Sequence, residues 1–139
     1  RAAGDSFPGV CRFHCDCVEG LVSGPALAAR FGAPADAIPD NHPGWRNVAA
    51  DLSELAAAIL LTTSAERVVL GGSVALGRPF LLPLIHECVV TVLGGYLPQV
   101  TASTAADLIL LSSLKTAAGP RGTVARAEEV LRARPARVE

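Results

Sequence analysis

The sequence predicts an α/β fold, because segments with helical periodicity alternate with two short apolar runs typical of buried strands. The runs occupy residues 67–70 and 108–111. Half of the 139 residues are apolar and only 4% are aromatic, a composition typical of a helix-rich globular domain. The chain contains no methionine and begins with Arg1, so we expect it to be part of a longer protein.

The first half of the chain is predicted to form a loop and two helices. Residues 1–17, rich in Gly, Pro and Cys, form the loop. Apolar residues spaced by three or four predict a helix over about residues 18–31, which Gly32 ends. Two prolines keep residues 33–42 extended. A long helix with one buried face then covers about residues 43–62, with its proline tolerated in the first turn.

The second half is predicted to alternate strands and helices. A pair of glycines, Gly71 and Gly72, follows the first strand, and a second pair ends the helix after it. The predicted elements are, in order, a strand at 67–70, a helix from just after Pro79 to about Leu93, a strand at 108–111, a turn at 119–122 and a final helix through Leu131.

Charge is divided unevenly along the chain. Residues 1–114 carry 6 basic and 10 acidic side chains, whereas residues 115–139 carry 6 basic and 3 acidic. The Arg-rich end lacks the interleaved aromatic residues of a nucleic-acid patch, and Glu128 and Glu129 dilute its charge. We interpret it as the solvated face of a terminal helix and expect no nucleic-acid partner. No apolar run approaches the roughly 20 residues that span a bilayer, so no membrane segment is expected.

A cluster of metal-ligating residues occupies positions 11–17. Cys11, His14 and Cys17 follow one another at intervals of three, which allows a short loop to wrap around one tetrahedral ion. Thiolate and imidazole suit zinc, which normally takes four ligands in a structural site. Cys15 adjoins His14, where two side chains rarely converge on one metal, so the fourth ligand is expected outside this chain. Disulfides or free thiols are the alternative, and a metal site in a reducing cytosol fits better.

Two pairs of glycines follow the predicted strands. Gly71 and Gly72 lie at the carboxyl end of the first strand, where open α/β sheets bind ligands. The absence of a Cβ allows a phosphate or nucleoside to approach the backbone. Gly119 and Gly122 follow the second strand and can form the other side of the same cleft. Taken alone, each pair is explained more simply by a tight turn.

Several motifs in this chain recur together in one family. Cys-x-x-His-x-x-Cys is followed by x-Glu-Gly-Leu-x-Ser-Gly-Pro over residues 11–25. Downstream come His42-Pro-x-Trp, Leu-Gly71-Gly72-x-Val and Gly119-x-x-Gly122. In this order the motifs resemble those of the ROK sugar kinases, fructokinase type. The resemblance covers nearly the whole chain, and the Cys/His motif is its most specific part.

The resemblance implies an actin-like, ribonuclease-H-type ATPase fold with two α/β lobes. This chain would be the C-terminal lobe, with a zinc loop at 8–20 and nucleotide-side segments at 67–77 and 108–123, and the N-terminal lobe would lie outside it. Structural zinc would be held by the three motif ligands and a His from earlier in the family's chain. Glu19 would accept hydrogen bonds from sugar hydroxyls; its alternative role is a helix-start acid favoured by the helix dipole.

The resemblance also implies partners. Fructose or a related hexose would be phosphorylated by ATP with magnesium, in a cytoplasmic homodimer. No catalytic residue can be named in this chain, because the family's Asp-x-Gly-Gly-Thr phosphate loop and catalytic Asp have no counterpart here. The segment alone is expected to be inactive.

Two further departures from the family pattern occur inside the chain. The family's Gly-Asp-Asn/Asp-Ala-Gly segment reads Lys-Thr-Ala-Ala-Gly at residues 115–119, without the acidic pair. Cys15 replaces the usual glycine of the zinc loop. Three functions are therefore considered: a fructokinase, a non-catalytic relative, and a sugar-responsive repressor with a helix-turn-helix. The Cys-x-x-His-x-x-Cys form is unlike the repressors' usual Cys-x-Cys-Gly motif.

Overall fold

A computed structural model describes residues 1–114 and 118–133. The described elements are α1 (Val18–Val22), α2 (Gly24–Phe31), a 3-10 turn (Ala35–Ala37), α3 (Gly44–Thr63), β1 (Val68–Leu70), α4 (Gly72–Gly77), α5 (Leu81–Leu93), α6 (Ala105–Leu108), β2 (Ile109–Leu111) and α7 (Ala118–Ala133). The mixed helix-and-strand class predicted from the sequence is confirmed.

The core forms where α3 packs against α5. Trp45, fully buried at the start of α3, donates its Nε1–H to the carbonyl of Pro39 at 2.9 Å. The same ring packs against Phe31 and Phe80. Further along α3, the buried Ser53 hydroxyl donates to the carbonyl of Ala49, one turn back. The long helix therefore has one buried face, as predicted, except that Leu55, expected on that face from its spacing, is 36% exposed.

The sheet consists of β1 and β2, paired in parallel with Val68 opposite Ile109. A right-handed crossover through a helix is the usual link between parallel strands, and α5 lies within this connection. Val68 and Ile109 face the core, whereas Val69 is 59% exposed on the other face. The chain continues from β1 directly into Gly71 and Gly72, at the carboxyl end of the strand.

Three predicted elements need correction. The single helix over 18–31 is two helices, because Ser23 ends α1 and its hydroxyl accepts a hydrogen bond from Ala26 N–H as the N-cap of α2. The connector at 33–42 is not wholly extended, since it contains the 3-10 turn. Gly119 and Gly122 belong to the first turns of α7, not to a turn preceding it. Helices α4 and α6, at six and four residues, were too short to show a period.

The Arg-rich end is described only as far as residue 133. Side chains 119–132 are exposed, and Arg126 and Arg132 pair with Glu129 and Glu128. This is the arrangement expected of a solvated helical face.

Candidate functional site

The three predicted metal ligands come together in one loop. The ligand atoms of Cys11, His14 and Cys17 all lie within 4.8 Å of one another, with Cys11 Sγ 3.8 Å from His14 Nδ1. All four cysteines of the chain are free thiols, and Cys15 does not belong to the group. Two thiolates and an imidazole are a donor set that suits zinc better than magnesium, which prefers oxygen.

The loop is shaped by its backbone. Cys11 and Cys15 exchange two hydrogen bonds, with N···O distances of 3.1 and 2.9 Å. The carbonyl of Cys15 then lies between Gly9 and Gly20, so closely that a Cβ on either glycine would be 2.1 Å from its oxygen. Both glycines are thus part of the site, although sequence reasoning did not count them among its residues. The only sequence signal was Gly20 in the motif.

The environment of Cys11 favours metal binding. Hydrogen bonds donated by the backbone N–H groups of Phe13 and His14, and then by the thiol of Cys17, lower the pKa of Cys11 to about 7. A substantial fraction of this thiol is therefore ionised at neutral pH. Because the thiolate is the form that binds metal, little free energy is needed to deprotonate Cys11 on binding.

Glu19 lies beside the loop formed by residues 11–17, the metal loop. It lines a hollow of about 340 Å³ together with Cys11, Arg12 and Phe13 of the loop. Glu19 itself is exposed and lies in the first turn of α1, two residues after Cys17. The hollow thus combines a carboxylate, a guanidinium group and an aromatic ring, which are groups that can bind hydroxyls and cover a sugar ring.

A second hollow lies next to the start of α4, and Gly71 and Gly72 themselves are not part of its lining. This cavity, of about 450 Å³, is mostly apolar and is lined by Pro25 and Ala28 of α2 and by Ser73 and Val74 of α4, among others. Gly72 has a φ of +84°, and no atom of the described residues lies within 4 Å of the position its Cβ would take. Among the described residues, the backbone at this strand end therefore leaves room for a ligand.

The second glycine pair is not in that hollow either. Gly119 and Gly122 border a surface groove whose described lining comes from α7 alone. Within the described part of the chain, a Cβ at either glycine would also meet no atom within 4 Å. In the described chain they do not form the opposite wall of a cleft with Gly71 and Gly72. Residues 115–117, which replace the acidic pair, lie outside the described residues.

Comparison with known proteins gives the family. The model of the ROK family matches residues 2–130, nearly the whole chain. The chain belongs to the ROK family. This membership is consistent with the α/β elements and with the family's actin-like ATPase fold.

Curated relatives support the same ROK membership. Over 92 residues the chain is 34% identical to a fructokinase of Lactococcus lactis subsp. cremoris, covering 66% of this chain and 31% of that protein. It is 30% identical over 137 residues to a putative fructokinase of Bacillus subtilis (strain 168), covering 98% and 46%. A fructokinase of Pediococcus pentosaceus is 31% identical over 96 residues, covering 69% and 33%. The matches thus span between about a third and a half of these relatives.

Among the described residues of this ROK chain, no helix combines the length and apolar character needed to cross a bilayer.

Proposed function

We propose that this chain is the C-terminal lobe of an ATP-dependent fructokinase that transfers the γ-phosphoryl group to a fructose hydroxyl, yielding fructose 6-phosphate. The observation that carries the proposal is the position of Glu19, which shares one hollow with the loop that holds the Cys-His-Cys group. Membership of the ROK family and relatives named fructokinase support a sugar as the substrate.

The proposed roles follow from the chemistry of each group. Cys11, His14 and Cys17 hold zinc, which fixes the loop and takes no part in the reaction. Glu19 accepts hydrogen bonds from sugar hydroxyls and so orients the sugar. We propose no residue of this chain as the base that takes the hydroxyl proton. Nor do we propose any as a ligand of the magnesium that accompanies ATP.

The two hollows are adjacent, which phosphoryl transfer requires. Pro25, in the first turn of α2, lines both the hollow of Glu19 and the hollow next to Gly72. We assign the second hollow to the nucleotide, with Gly71 and Gly72 at its edge. Gly119 and Gly122 keep a proposed nucleotide role only if α7 contacts the nucleotide in the complete protein.

The test of the sugar site is a steady-state assay with ATP and a panel of hexoses, on the complete product of the gene that encodes this sequence. Glu19→Gln should raise the KM for fructose by roughly ten- to a hundred-fold, the value of a charge-assisted hydrogen bond, with the KM for ATP little changed. Glu54→Gln, an exposed acid on α3, is the control. An unaltered fructose KM in folded Glu19→Gln refutes the role of Glu19.

The nucleotide site is tested separately. Gly72→Val should weaken ATP binding before it weakens sugar binding, because a β-branched residue is strained at a φ of +84°. Gly77→Val, at the other end of α4 and equally open, is the matched control. Calorimetry with ATP and with fructose measures both affinities. If Gly72→Val binds ATP like wild type, Gly72 is a turn residue only.

The same experiments can identify either of two other functions. A wild-type protein that binds sugar without phosphorylating any hexose is the non-catalytic relative, which the loss of the acidic pair at residues 115–117 favours. Sugar-dependent binding to operator DNA would identify a repressor.

A further inference from the structure

Arg30 on α2 is buried where three parts of the chain meet. Its Nη1 donates to Asp5 Oδ2 at 2.6 Å, and its Nη2 donates to Asp51 Oδ2 at 2.9 Å. The side chains of all three are at most 5% exposed. Nη2 also lies 3.5 Å from the carbonyl oxygen of Leu21 on α1. One guanidinium group therefore joins the segment before the metal loop, α1 and α3.

Each carboxylate extends this network. Asp51 Oδ1 accepts from the backbone N–H of Ala2 at 2.6 Å. Asp5 Oδ1 accepts from the backbone N–H of Phe7 at 3.2 Å and from Asn47 Nδ2 at 3.3 Å. The ring of Phe7 covers the guanidinium, with its centroid 4.5 Å from Cζ. The segment from Ala2 to Phe7 is thus fixed at three points against the helices.

Stability alone is a poor explanation for this network. Buried ion pairs lose much of their Coulombic gain to desolvation, and apolar replacements of similar volume are often as stable. Here Nε of Arg30 is buried and has no hydrogen-bond partner among residues 1–114 and 118–133, an additional cost. What a planar guanidinium provides, and an apolar side chain does not, is directional bonding to several groups at once.

The groups that Arg30 binds are close in sequence to the metal loop and to Glu19. Leu21 is two residues after Glu19 on the short helix α1. On the other side, the segment fixed at Phe7 continues to Gly9, which packs against the carbonyl of Cys15. Val10 N–H then donates to the carbonyl of Gly20 at 3.0 Å, closing the loop. Both chain segments at the base of the loop are therefore anchored through Arg30.

We propose that Arg30 is a positioning residue for sugar binding, which holds α1 and the segment before the loop so that the Glu19 carboxylate faces the sugar. Arg30 does not touch the sugar itself and acts through Glu19. The proposal rests on the proposed function, in which Glu19 binds sugar hydroxyls.

Arg30→Lys is the first test, on the complete gene product with its metal bound. Lysine keeps the charge but is a compact donor that cannot bridge the same three groups. A displaced Glu19 should raise the KM for the sugar by about ten- to a hundred-fold and leave the KM for ATP within about twofold. Asp5→Asn weakens the same network less and should also raise the sugar KM. It replaces Arg30→Lys as the test if Arg30→Lys does not fold.

A double-mutant cycle separates positioning from general destabilisation. If Arg30 acts through Glu19, adding Arg30→Lys to Glu19→Gln should raise the sugar KM no further than Glu19→Gln alone. Arg46→Gln, which breaks an exposed pair with Glu87 at 3.8 Å, is the control and should change neither KM.

The outcomes distinguish this proposal from the proposed function. An active wild-type kinase whose sugar KM is unchanged in folded Arg30→Lys or Asp5→Asn overturns the positioning role alone. Additive effects of Arg30→Lys and Glu19→Gln, or equal increases in both KM values, do the same. A wild-type protein that phosphorylates no sugar overturns the proposed function and the positioning role together.

Discussion

Cys15 contributes its backbone to the metal loop. Its φ of +53° lies in the left-handed region that favours glycine, and its carbonyl is enclosed by Gly9 and Gly20. Its side chain is exposed and lies outside the group formed by Cys11, His14 and Cys17. The tight reversal between His14 and Asp16, with an N···O distance of 2.6 Å, explains why the chain adopts this conformation here.

We therefore expect Cys15→Gly to retain the metal and to raise the free energy of unfolding by up to about 1 kcal/mol. A non-glycine residue pays roughly 1–2 kcal/mol in the left-handed region, and the larger backbone entropy of unfolded glycine offsets part of this gain. Denaturant unfolding followed with a zinc determination measures both quantities. Loss of zinc in Cys15→Gly would contradict the prediction and make Cys15 a ligand.

Gly20→Ala should have the opposite effect. Its Cβ would lie 2.1 Å from the Cys15 carbonyl oxygen and 2.9 Å from the Cys11 nitrogen, both backbone atoms that cannot rotate away. The loop must shift, at a cost of about 1–3 kcal/mol for overpacking, and the ligand atoms must shift with it. Competition with a chelator should show weaker zinc binding.

Gly24→Ala is the matched control for this substitution. Gly24 also lies near the start of a helix, but no described residue has an atom within 4 Å of its Cβ position. Zinc affinity should equal that of wild type in this variant. Equal affinity in Gly20→Ala as well would show that the loop is looser than its contacts indicate.

The spacing of apolar residues predicted the helices that are long enough to show a repeating pattern. Helices α3 and α5 were predicted within two residues of their observed ends, because each buries one face over at least three turns. The break at Ser23 was missed, since apolar residues continue on both sides and only the local Ser-Gly-Pro cap ends α1. Gly119 and Gly122 were interpreted as a turn because glycine and proline usually mark one.

The candidate site likewise contains some residues that the sequence predicts and others that it does not. Spacing was sufficient to bring Cys11, His14 and Cys17 together, because a seven-residue loop leaves their side chains few alternatives. The contact of Gly9 with the Cys15 carbonyl depends on a positive φ at both residues, which no spacing displays. Arg30, Asp5 and Asp51 are separated by 21 residues or more, so only tertiary packing unites them.

The ion pair of Asp5 with Arg30, which joins the segment from Ala2 to Phe7 to the helices, should be sensitive to acid. Burial alone would raise the pKa of Asp5, but hydrogen bonds from Arg30 and from Phe7 N–H outweigh it and hold the pKa below its usual value. A lowered pKa means that Asp5 stabilises the fold above the pKa of the unfolded chain. This contribution is lost as pH falls through the lower, folded pKa.

Asp5→Asn should therefore make the stability of the fold depend less on pH in the acidic range. At neutral pH the variant should be less stable than wild type, and the difference should shrink as pH falls below about 4. Melting temperatures between pH 2.5 and 7 measure it, with Arg46→Gln, which leaves the network intact, expected to parallel wild type. A difference that stays constant with pH would show that Asp5 acts by packing and not by charge.

At the scale of the whole molecule, the metal loop and the apolar core are separate structures. The core cluster and the apolar side chains packed on it begin at Val22, after the last metal ligand. The described loop is instead held by backbone hydrogen bonds, by Gly9 and Gly20, and by the segment anchored at Arg30. Bound metal would therefore stabilise the loop locally, and we expect the packing of α3 on α5 not to depend on it.

Removing zinc should accordingly loosen one region only. After chelation we expect faster amide hydrogen exchange between residues 9 and 21, where the hydrogen bonds of Cys11, Cys15 and Gly20 close the loop. Exchange within α3 and α5 should keep its rate, because their amides are bonded inside helices whose buried faces contain no ligand. Exchange followed by mass spectrometry of peptides resolves the two regions. Cys17→Ala treated with the same chelator should show no further change, since its site is already disrupted. Faster exchange throughout α3 and α5 would contradict this separation and make the metal a support of the whole core.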